Sequence, residues 1–312
     1  MISLSSILVD VDATREHHPA LERALLLASR AKARIKIVDI LPEVPPRARS
    51  FLNSRLEEEL VTHRRERLAA IAATVKDVPV TVELLRGRAM IALVHEVLRS
   101  NHSLLMRSHG SPPADPGRPF GAVDMQLLRQ CPCPVWVIRP GTGARRSQRI
   151  LAAVDVHPED ETGQELNTTI LELALLIREL EDDHLTVLHA WMLYGEELLK
   201  SRMPPEELAE VVETARREAE SALSALIKRF DDRLAGVAVE VVKGEPDDVI
   251  PQFVELRGID VVVMGTVGRT GIAGLVTGNT AEHVLQRLRG SVLAVKPSGF
   301  ESDVKLPGAS GL

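Results

Sequence analysis

The stretch Met264-Gly265-Thr266-Val267-Gly268, followed after nine intervening residues by Gly278-Asn279-Thr280, decides the fold class of this chain. The apolar run 259–263 before it is typical of a buried parallel strand. Residues 281–288 after it have helical spacing, with Asn279 predicted as the N-cap and Glu282 three residues further on. A strand, a glycine loop and a helix start together present backbone N–H groups and the positive end of a helix dipole. This order therefore favours a phosphate-binding loop in an α/β domain.

A long glycine-containing loop that binds nothing stays open as the alternative. The order of the elements and the full spacing favour phosphate binding over that alternative. Two better-known phosphate loops are excluded, because the chain has no G-x-x-x-x-G-K-[ST] and no G-x-G-x-x-G that opens a helix directly after a strand.

The chain repeats itself at an offset that drifts from 143 to 158 residues. Residues 7–12 match 150–155, so that Asp12 corresponds to Asp155. Further matches pair 80–87 with 237–244, 104–106 with 262–264 and 134–140 with 291–297. A self-match of this length predicts two homologous domains in series, each of ordinary size.

Each copy alternates β-rich apolar runs with amphipathic stretches, a pattern typical of βαβ units around a parallel sheet. In the second copy we predict strands near 149–155, 184–190, 237–242, 259–264 and 291–296. Helices are predicted near 163–181, 206–230, 246–257 and 279–289. Right-handed crossovers then give a doubly wound sheet with helices on both faces and ligands beyond the carboxyl ends of the strands. Asp155 and the loop 265–280 are expected at that edge.

The first copy keeps the scaffold but loses the glycine loop. Arg107 stands where the second copy has Gly265, and Ala122 stands where it has Asn279. Four prolines lie between residues 112 and 119, and proline removes a backbone donor. We therefore expect no phosphate nest in the first copy. Arg107 is interpreted as a solvated or domain-interface residue, with anion binding as the alternative.

Composition restricts the possible functions. No apolar run approaches the roughly 18–20 residues needed to span a bilayer and no signal peptide is evident, so a soluble cytoplasmic protein without membrane contact is expected. Cys131 and Cys133 are the only cysteines, too closely spaced for an ordinary disulfide, and they are interpreted as buried or strand-edge thiols in a reducing compartment rather than as a metal site.

The charge of the chain is divided unevenly. Residues 1–149 carry 23 Lys and Arg against 15 Asp and Glu, a net +8, whereas residues 150–312 carry 15 against 29, a net −14. Solvated helix faces are one explanation of this division. The more specific alternative is that the opposite charges help the two domains to pair and that the first domain attracts anionic ligands. Nucleic-acid binding is disfavoured because aromatic residues make up only 3% of an acidic chain.

With these motifs laid out, the chain resembles a tandem universal stress protein over nearly its whole length. The strongest segments are 264–272, 278–284 and 129–137. The resemblance implies a five-stranded parallel sheet of order 3-2-1-4-5 in each domain and packing of the two copies as an intramolecular pseudo-dimer, with a homodimer also possible in principle. The predicted domains are a degenerate one at 1–145 and one with the intact loop at 146–298, and residues 299–312 are predicted to be a mobile tail.

The same resemblance implies an ATP site in the second domain. Asp155 would meet the nucleoside, Ala190 would face the adenine, and Met264 and Gly265 would line the base and ribose. The phosphates, together with Mg²⁺, would be held by Gly268, Gly278, Asn279 and Thr280. The family usually has Ser or Thr where this chain has Asn279, a bulkier amide, and this departure bears on the contact with the γ-phosphate.

Three classes of function follow from these observations. The leading hypothesis is a stress-response protein that binds ATP in its second domain and acts as a sensor or adaptor for an unknown protein partner. An enzyme is the second class, and at most slow ATP hydrolysis is expected. The loop supplies Arg269 but no lysine, and there is no obvious base beyond Asp155 or Asp260, which is interpreted as structural in its strand. The third class is a scaffold or a binder of an apolar or lipid-like ligand, enclosed by the segment 191–194.

Overall fold

The computed structural model describes residues 4–43, 54–109, 119–139, 148–156, 161–181, 184–266 and 279–306. The chain divides into two compact units, unit 1 with Met1–Arg146 and Ser291–Leu312, and unit 2 with Ser147–Gly290. The predicted domain ranges follow the sequence repeat, whereas the compact units follow the contacts. The two divisions both separate the chain near residue 146 and differ in where they assign residues 291–298.

Unit 1 is built on a parallel sheet. Its strands are β1 (Ser6–Asp10), β2 (Arg34–Leu41), β3 (Val80–Arg86), β4 (Leu104–Ser108) and β5 (Val135–Ile138), with helices α1 (Pro19–Ala31), α2 (Ser54–Ala73), α3 (Ala89–Ser100) and α4 (Ala122–Gln130). These strands pair in parallel in the order β3-β2-β1-β4-β5. The predicted order 3-2-1-4-5 is therefore confirmed for the first copy.

Unit 2 repeats the first four strands of this arrangement. Its elements are β6 (Arg149–Val154), α5 (Glu161–Glu181), β7 (His184–Trp191), α6 (Glu196–Lys200), α7 (Pro205–Lys228), a 3₁₀ turn (Asp231–Leu234), β8 (Ala238–Lys243), α8 (Pro246–Arg257), β9 (Val261–Gly265) and α9 (Asn279–Arg287). The strands pair in parallel in the order β8-β7-β6-β9. The predicted strands and helices of the second copy are confirmed, with ends shifted by at most two residues, and the short helix α6 is an addition.

The fifth strand of the second copy belongs to unit 1. This strand, β10 (Ser291–Val295), pairs antiparallel with β5, placing Leu293 opposite Trp136. The pairing satisfies the backbone groups that β5 would otherwise leave open on that side. Lys296, directly after β10, donates a hydrogen bond to the carbonyl of Leu128 near the end of α4, where a helix leaves its last carbonyls without partners.

The residues after β10 continue along unit 1. The Nε2 atom of His95 lies 2.9 Å from the carbonyl oxygen of Lys305, and Ser302 is buried. The ammonium of Lys296 lies 5.5 Å from the ring centre of Phe300. Residues 299–306, which the sequence analysis assigns to a tail, therefore pack on unit 1, and residues 307–312 lie outside the described residues.

Burial follows the strand patterns. The middle residues of β1, β6 and β9 are almost wholly buried, as expected for parallel strands covered by helices on both faces. Cys131 and Cys133 are free and buried with their Sγ atoms 3.6 Å apart, which confirms the interpretation of these residues as buried thiols. Among the described residues, no helix has the length and apolar character needed to cross a bilayer.

Candidate functional site

A cavity of about 1130 Å³ opens in unit 2 at the carboxyl ends of β6, β7 and β9. The chain order of the strands reverses between β6 and β9, and such a reversal is where open α/β sheets bind ligands. Helices α5 and α7 supply further walls, and the first turns of α8 and α9 reach the cavity. The topology thus places a ligand-sized space at the edge that the sequence analysis predicts.

Five of the eight predicted site residues line this cavity. They are Asp155, Ala190, Met264, Gly265 and Thr280. Asn279 is the first residue of α9 rather than the residue before the helix, and its side chain is exposed. Gly268 and Gly278 lie outside the described residues.

The main chain of Asp155 is held by a buried asparagine. Asn167 of α5 accepts a hydrogen bond from the Asp155 N–H at 3.0 Å and donates one to the Asp155 carbonyl at 2.8 Å. Asn167 is only 3% exposed, so its amide has little access to water. The two bonds fix the peptide groups at the end of β6, where Asp155 is exposed and lines the cavity.

Close packing of α5 explains the glycine at the end of β9. A Cβ atom added to Gly265 would lie 2.5 Å from Cδ2 of Leu166, a distance that requires a shift of the leucine. The neighbouring Met264 is buried and pairs in register with Ala153 of β6. The absence of a side chain at Gly265 thus allows Leu166 of α5 to pack close to the end of β9.

Strand β7 contributes one buried titratable residue to the cavity, and the sequence analysis missed this residue. His189 of β7 lines the cavity, and its Nδ1 atom lies 3.2 Å from the carbonyl oxygen of Val154. It directly precedes Ala190, which also lines the cavity. A histidine inside an otherwise apolar strand pattern is the signal that could have identified it.

Asn167 was missed as well, although the sequence contains a signal for it. Its spacing to Ile170, Leu171 and Ala174 places it on the buried face of α5, where an unpaired amide would be unfavourable. A polar residue at such a position indicates a specific partner, but the sequence does not identify that partner. Helix α7 gives the cavity residues that had no signal: Ala215, Glu218, Ala219, Ser221, Ala222 and Ala225.

In unit 1, ion pairs hold the corresponding carboxylate. Arg64 of α2 lies 3.2 Å from Asp12, the counterpart of Asp155, and 2.8 Å from the buried Asp39. Arg15 lies 3.3 Å from the other oxygen of Asp12. At the position of Asn167, the offset that pairs Asp12 with Asp155 gives Ala24, which has no amide to hold the strand end.

Arg107 is mostly buried and paired with carboxylates rather than solvated, so the interpretation of this residue as a solvated arginine was wrong. Its guanidinium is mostly buried in unit 1, 3.0 Å from Asp124 and 3.4 Å from Asp10. Asp124 also accepts hydrogen bonds from His109 at 2.8 Å and from the N–H of Gly121 at 3.2 Å. Burial raises the pKa of Asp10 to about 6, although Arg107 acts in the opposite direction. An arginine at a strand end is enclosed here because two carboxylates surround it.

The fold and the cavity define a class of tandem α/β proteins with a ligand-sized cavity at the switch point of the sheet in unit 2. The chain belongs to the universal stress protein family, since the model of that family matches residues 4–139 and 146–296.

The similarity to known proteins extends over nearly the whole chain. Universal stress protein E of Photorhabdus laumondii is 27% identical over 98% of this chain and 99% of its own length, and universal stress protein E of Escherichia coli K12 is 27% identical over 98% of each chain. A crystal structure of a functionally unknown protein from Pseudomonas aeruginosa PAO1 has a TM-score of 0.69 and 26% identity, and covers 94% of this chain and 93% of that one. A putative universal stress protein from Pseudomonas aeruginosa UCBPP-PA14 has a TM-score of 0.63 and 25% identity over 94% of each chain.

Proposed function

We propose that unit 2 binds an adenine nucleotide in its cavity and that the protein acts as a non-catalytic sensor or adaptor in a stress response. The observation that carries the proposal is Asp155, whose main chain is held by Asn167 at a cavity that opens at the switch point of the sheet. Membership of the universal stress protein family supports the stress-response role.

In this proposal the nucleoside enters the cavity and the phosphates point to the start of α9. Asp155 accepts hydrogen bonds from the ribose hydroxyls, and Ala190 and Met264 provide apolar contacts for the base. Thr280, in the first turn of α9, offers its hydroxyl and N–H to a phosphate. Gly268 and Gly278 keep the phosphate role predicted from the sequence.

Mg²⁺ would arrive with the nucleotide in this proposal. The described residues contain no group of three or more His, Cys, Asp or Glu side chains placed to hold a metal ion. The phosphates would then supply most of the oxygen ligands, as is usual for Mg²⁺.

A sensor or adaptor role fits the cavity better than catalysis of phosphoryl transfer. Such catalysis requires a positioned nucleophile and cationic groups that stabilise the developing charge. Among the described residues that line the cavity there is no Lys or Arg. The cytoplasmic location and the protein partner stay predictions from the sequence.

The proposal is tested by native mass spectrometry of the chain with ATP and Mg²⁺, using a matched pair of variants. We expect one nucleotide per chain, loss of binding in Asp155→Ala, and retention of binding in Asp12→Ala, because Asp12 is already paired with Arg64. Equal binding by both variants would reject the assignment of the site. Two nucleotides per chain would show that unit 1 also binds.

The size and lining of the cavity favour a second candidate, a carrier of an apolar ligand. Trp191, Met192 and Leu193 line the cavity together with four alanines of α7, so much of its wall has no hydrogen-bonding group. Under this alternative, the purified protein carries an apolar molecule that adenosine and ATP do not displace. Displacement by adenosine would reject it.

A further inference from the structure

The mouth of the unit 2 cavity is acidic. Asp155, Glu218 and Glu245 line it from β6, α7 and the N-cap of α8, and all three residues are exposed. Within the described part of the chain, no ion pair joins Glu218 or Glu245 to a cationic side chain. Their charges therefore contribute to the field at the entrance instead of being neutralised locally.

Among the described residues near the cavity, the cations Lys243 and Arg216 are paired with other carboxylates. Lys243 precedes Glu245 by two residues, but its ammonium lies 2.8 Å from Glu196 and 5.8 Å from the ring centre of Trp191. Arg216, on the same helix as Glu218, is paired with Glu213 at 2.8 Å and with a further glutamate one turn on. These cations offset their own partners and leave the excess negative charge of the mouth in place.

The helix ends at the cavity also carry negative charge. Asp247 and Asp248 lie in the first turn of α8, where Asp248 is paired with Arg287 at 2.5 Å and Asp247 lies 3.2 Å from His283. Glu282 lies in the first turn of α9. Carboxylates at these positions offset the positive end of the helix dipole, which otherwise attracts anions. Clefts lined by charges of one sign focus the field, and the sequence from residue 150 onward has a net charge of −14.

We propose that the unit 2 site selects its ligand by charge: it binds a neutral nucleoside or a nucleoside monophosphate more tightly than metal-free ATP, and Glu218 and Glu245 determine this preference. The inference rests on the proposed function, because it concerns the ligand of the same cavity. It makes a prediction opposite to that of a phosphate-binding loop acting alone. Such a loop attracts a polyanion, whereas an acidic mouth repels it.

The sign of the salt dependence distinguishes the two cases. Raising the salt concentration from about 0.05 M to about 0.5 M shortens the Debye length to a few ångströms and screens exposed charges. If the mouth repels the polyphosphate, metal-free ATP binds more tightly at high salt. If attraction by a loop dominates, ATP binds more weakly at high salt. Adenosine carries no charge and serves as the reference in both cases.

The experiment is calorimetric titration of the full chain with adenosine, AMP and ATP in the presence of EDTA at both salt concentrations. The test variant is Glu218→Gln with Glu245→Gln, and the control is Glu206→Gln with Glu207→Gln, which makes the same charge change on the first turn of α7 outside the cavity lining. Each exposed charge interaction changes affinity by roughly 1.4- to 5-fold, so the loss of two charges in the test variant should raise ATP affinity by about 2- to 25-fold. We expect little change for adenosine in either variant and a smaller gain for ATP in the control.

Each outcome of the titrations tests a different part of the proposal. Tighter binding of metal-free ATP than of adenosine, weakened by salt, would overturn charge selection while leaving nucleotide binding intact. An equal gain for ATP in the test and control variants would overturn the role of Glu218 and Glu245, because the effect would then come from net charge alone. Failure of adenosine, AMP and ATP to bind at all would reject the proposed function itself.

Discussion

Replacement of Asn167 by alanine should destabilise unit 2 selectively. The substitution removes the acceptor for the Asp155 N–H and the donor to the Asp155 carbonyl in a single step. It leaves a small space on the buried face of α5, where Asn167 lies between the apolar residues that pack on the sheet. The end of β6 then loses the contact that ties it to the helix.

The magnitude follows from the two hydrogen bonds. Each neutral hydrogen bond contributes about 1 kcal/mol, and a buried group left unpaired costs about 1–3 kcal/mol. Alanine favours a helix over asparagine by roughly 0.6 kcal/mol, and water can reach the exposed Asp155 in part. We therefore expect a loss of about 2 kcal/mol in the free energy of unfolding, or roughly 4–8 °C in the Tm of a unit of this size.

The assay uses the tryptophan of each unit as a reporter. The chain has two tryptophans, Trp136 in unit 1 and Trp191 in unit 2, so Trp136→Phe leaves Trp191 as the reporter of unit 2. Urea unfolding is followed by Trp191 fluorescence in this background, and the midpoints and slopes are compared. Separate reporters are needed because a chain with two units is not expected to unfold in one step.

Thr169→Ala is the matched control for this prediction. The hydroxyl of Thr169 bonds only within α5, to the carbonyl of Glu165 at 3.0 Å, so its loss should change the free energy of unfolding by less than about 0.5 kcal/mol. If Asn167→Ala destabilises unit 2 no more than Thr169→Ala does, the hydrogen bonds to Asp155 do not stabilise the strand end, and the reasoning is refuted.

Two further predictions concern Lys296 in unit 1 and Gly244 in unit 2. Burial lowers the pKa of Lys296 to about 8, whereas the unfolded lysine titrates near 10.5. Between these two pKa values the unfolded chain binds more protons than the folded chain, so the free energy of unfolding of unit 1 should rise with pH by on the order of 3 kcal/mol. Trp136 fluorescence reports this unfolding. A pH dependence of the same slope in Lys296→Met would contradict the prediction. In unit 2, Gly244→Ala should lower the free energy of unfolding by about 2–3 kcal/mol, because φ is +144° and a Cβ would lie 2.8 Å from Val249. The control Gly236→Ala should lower it by only about 1 kcal/mol, because φ is +75° but no atom lies within 4 Å of the added Cβ. Equal losses in thermal unfolding at the two glycines would show that the contact with Val249 relaxes freely.

Local patterns carried most of the fold prediction. The apolar runs of β6, β7 and β9 and the amphipathic helices between them are readable from short windows, because burial on both faces of a parallel sheet requires them. The self-match then predicted two copies, and matching Asp12 with Asp155 placed the candidate site at the strand ends. Five of the predicted site residues line one cavity because the carboxyl ends of parallel strands meet at one edge.

Partners distant in the chain could not be predicted from such windows. The sequence shows a polar residue on the buried face of α5 but not that Asn167 binds the main chain of Asp155. It shows Arg107 at a strand end but not that Asp10 and Asp124 enclose it, because each pair forms only after the helices pack on the sheet. A contact between separated elements depends on the angle and distance at which those elements meet, and short-range periodicity does not encode either.

The sequence by itself determined the class of fold, the duplication and the edge of the sheet at which the cavity opens, because these follow from periodicity, glycine spacing and strand order. Only the tertiary structure decided that β10 pairs with β5 in unit 1, that α7 closes the cavity with Glu218 at its mouth, and that ion pairs hold the matching carboxylate in unit 1. The physical reason is that edge pairing, cavity closure and ion pairing depend on which surfaces of the folded chain come within a few ångströms of each other.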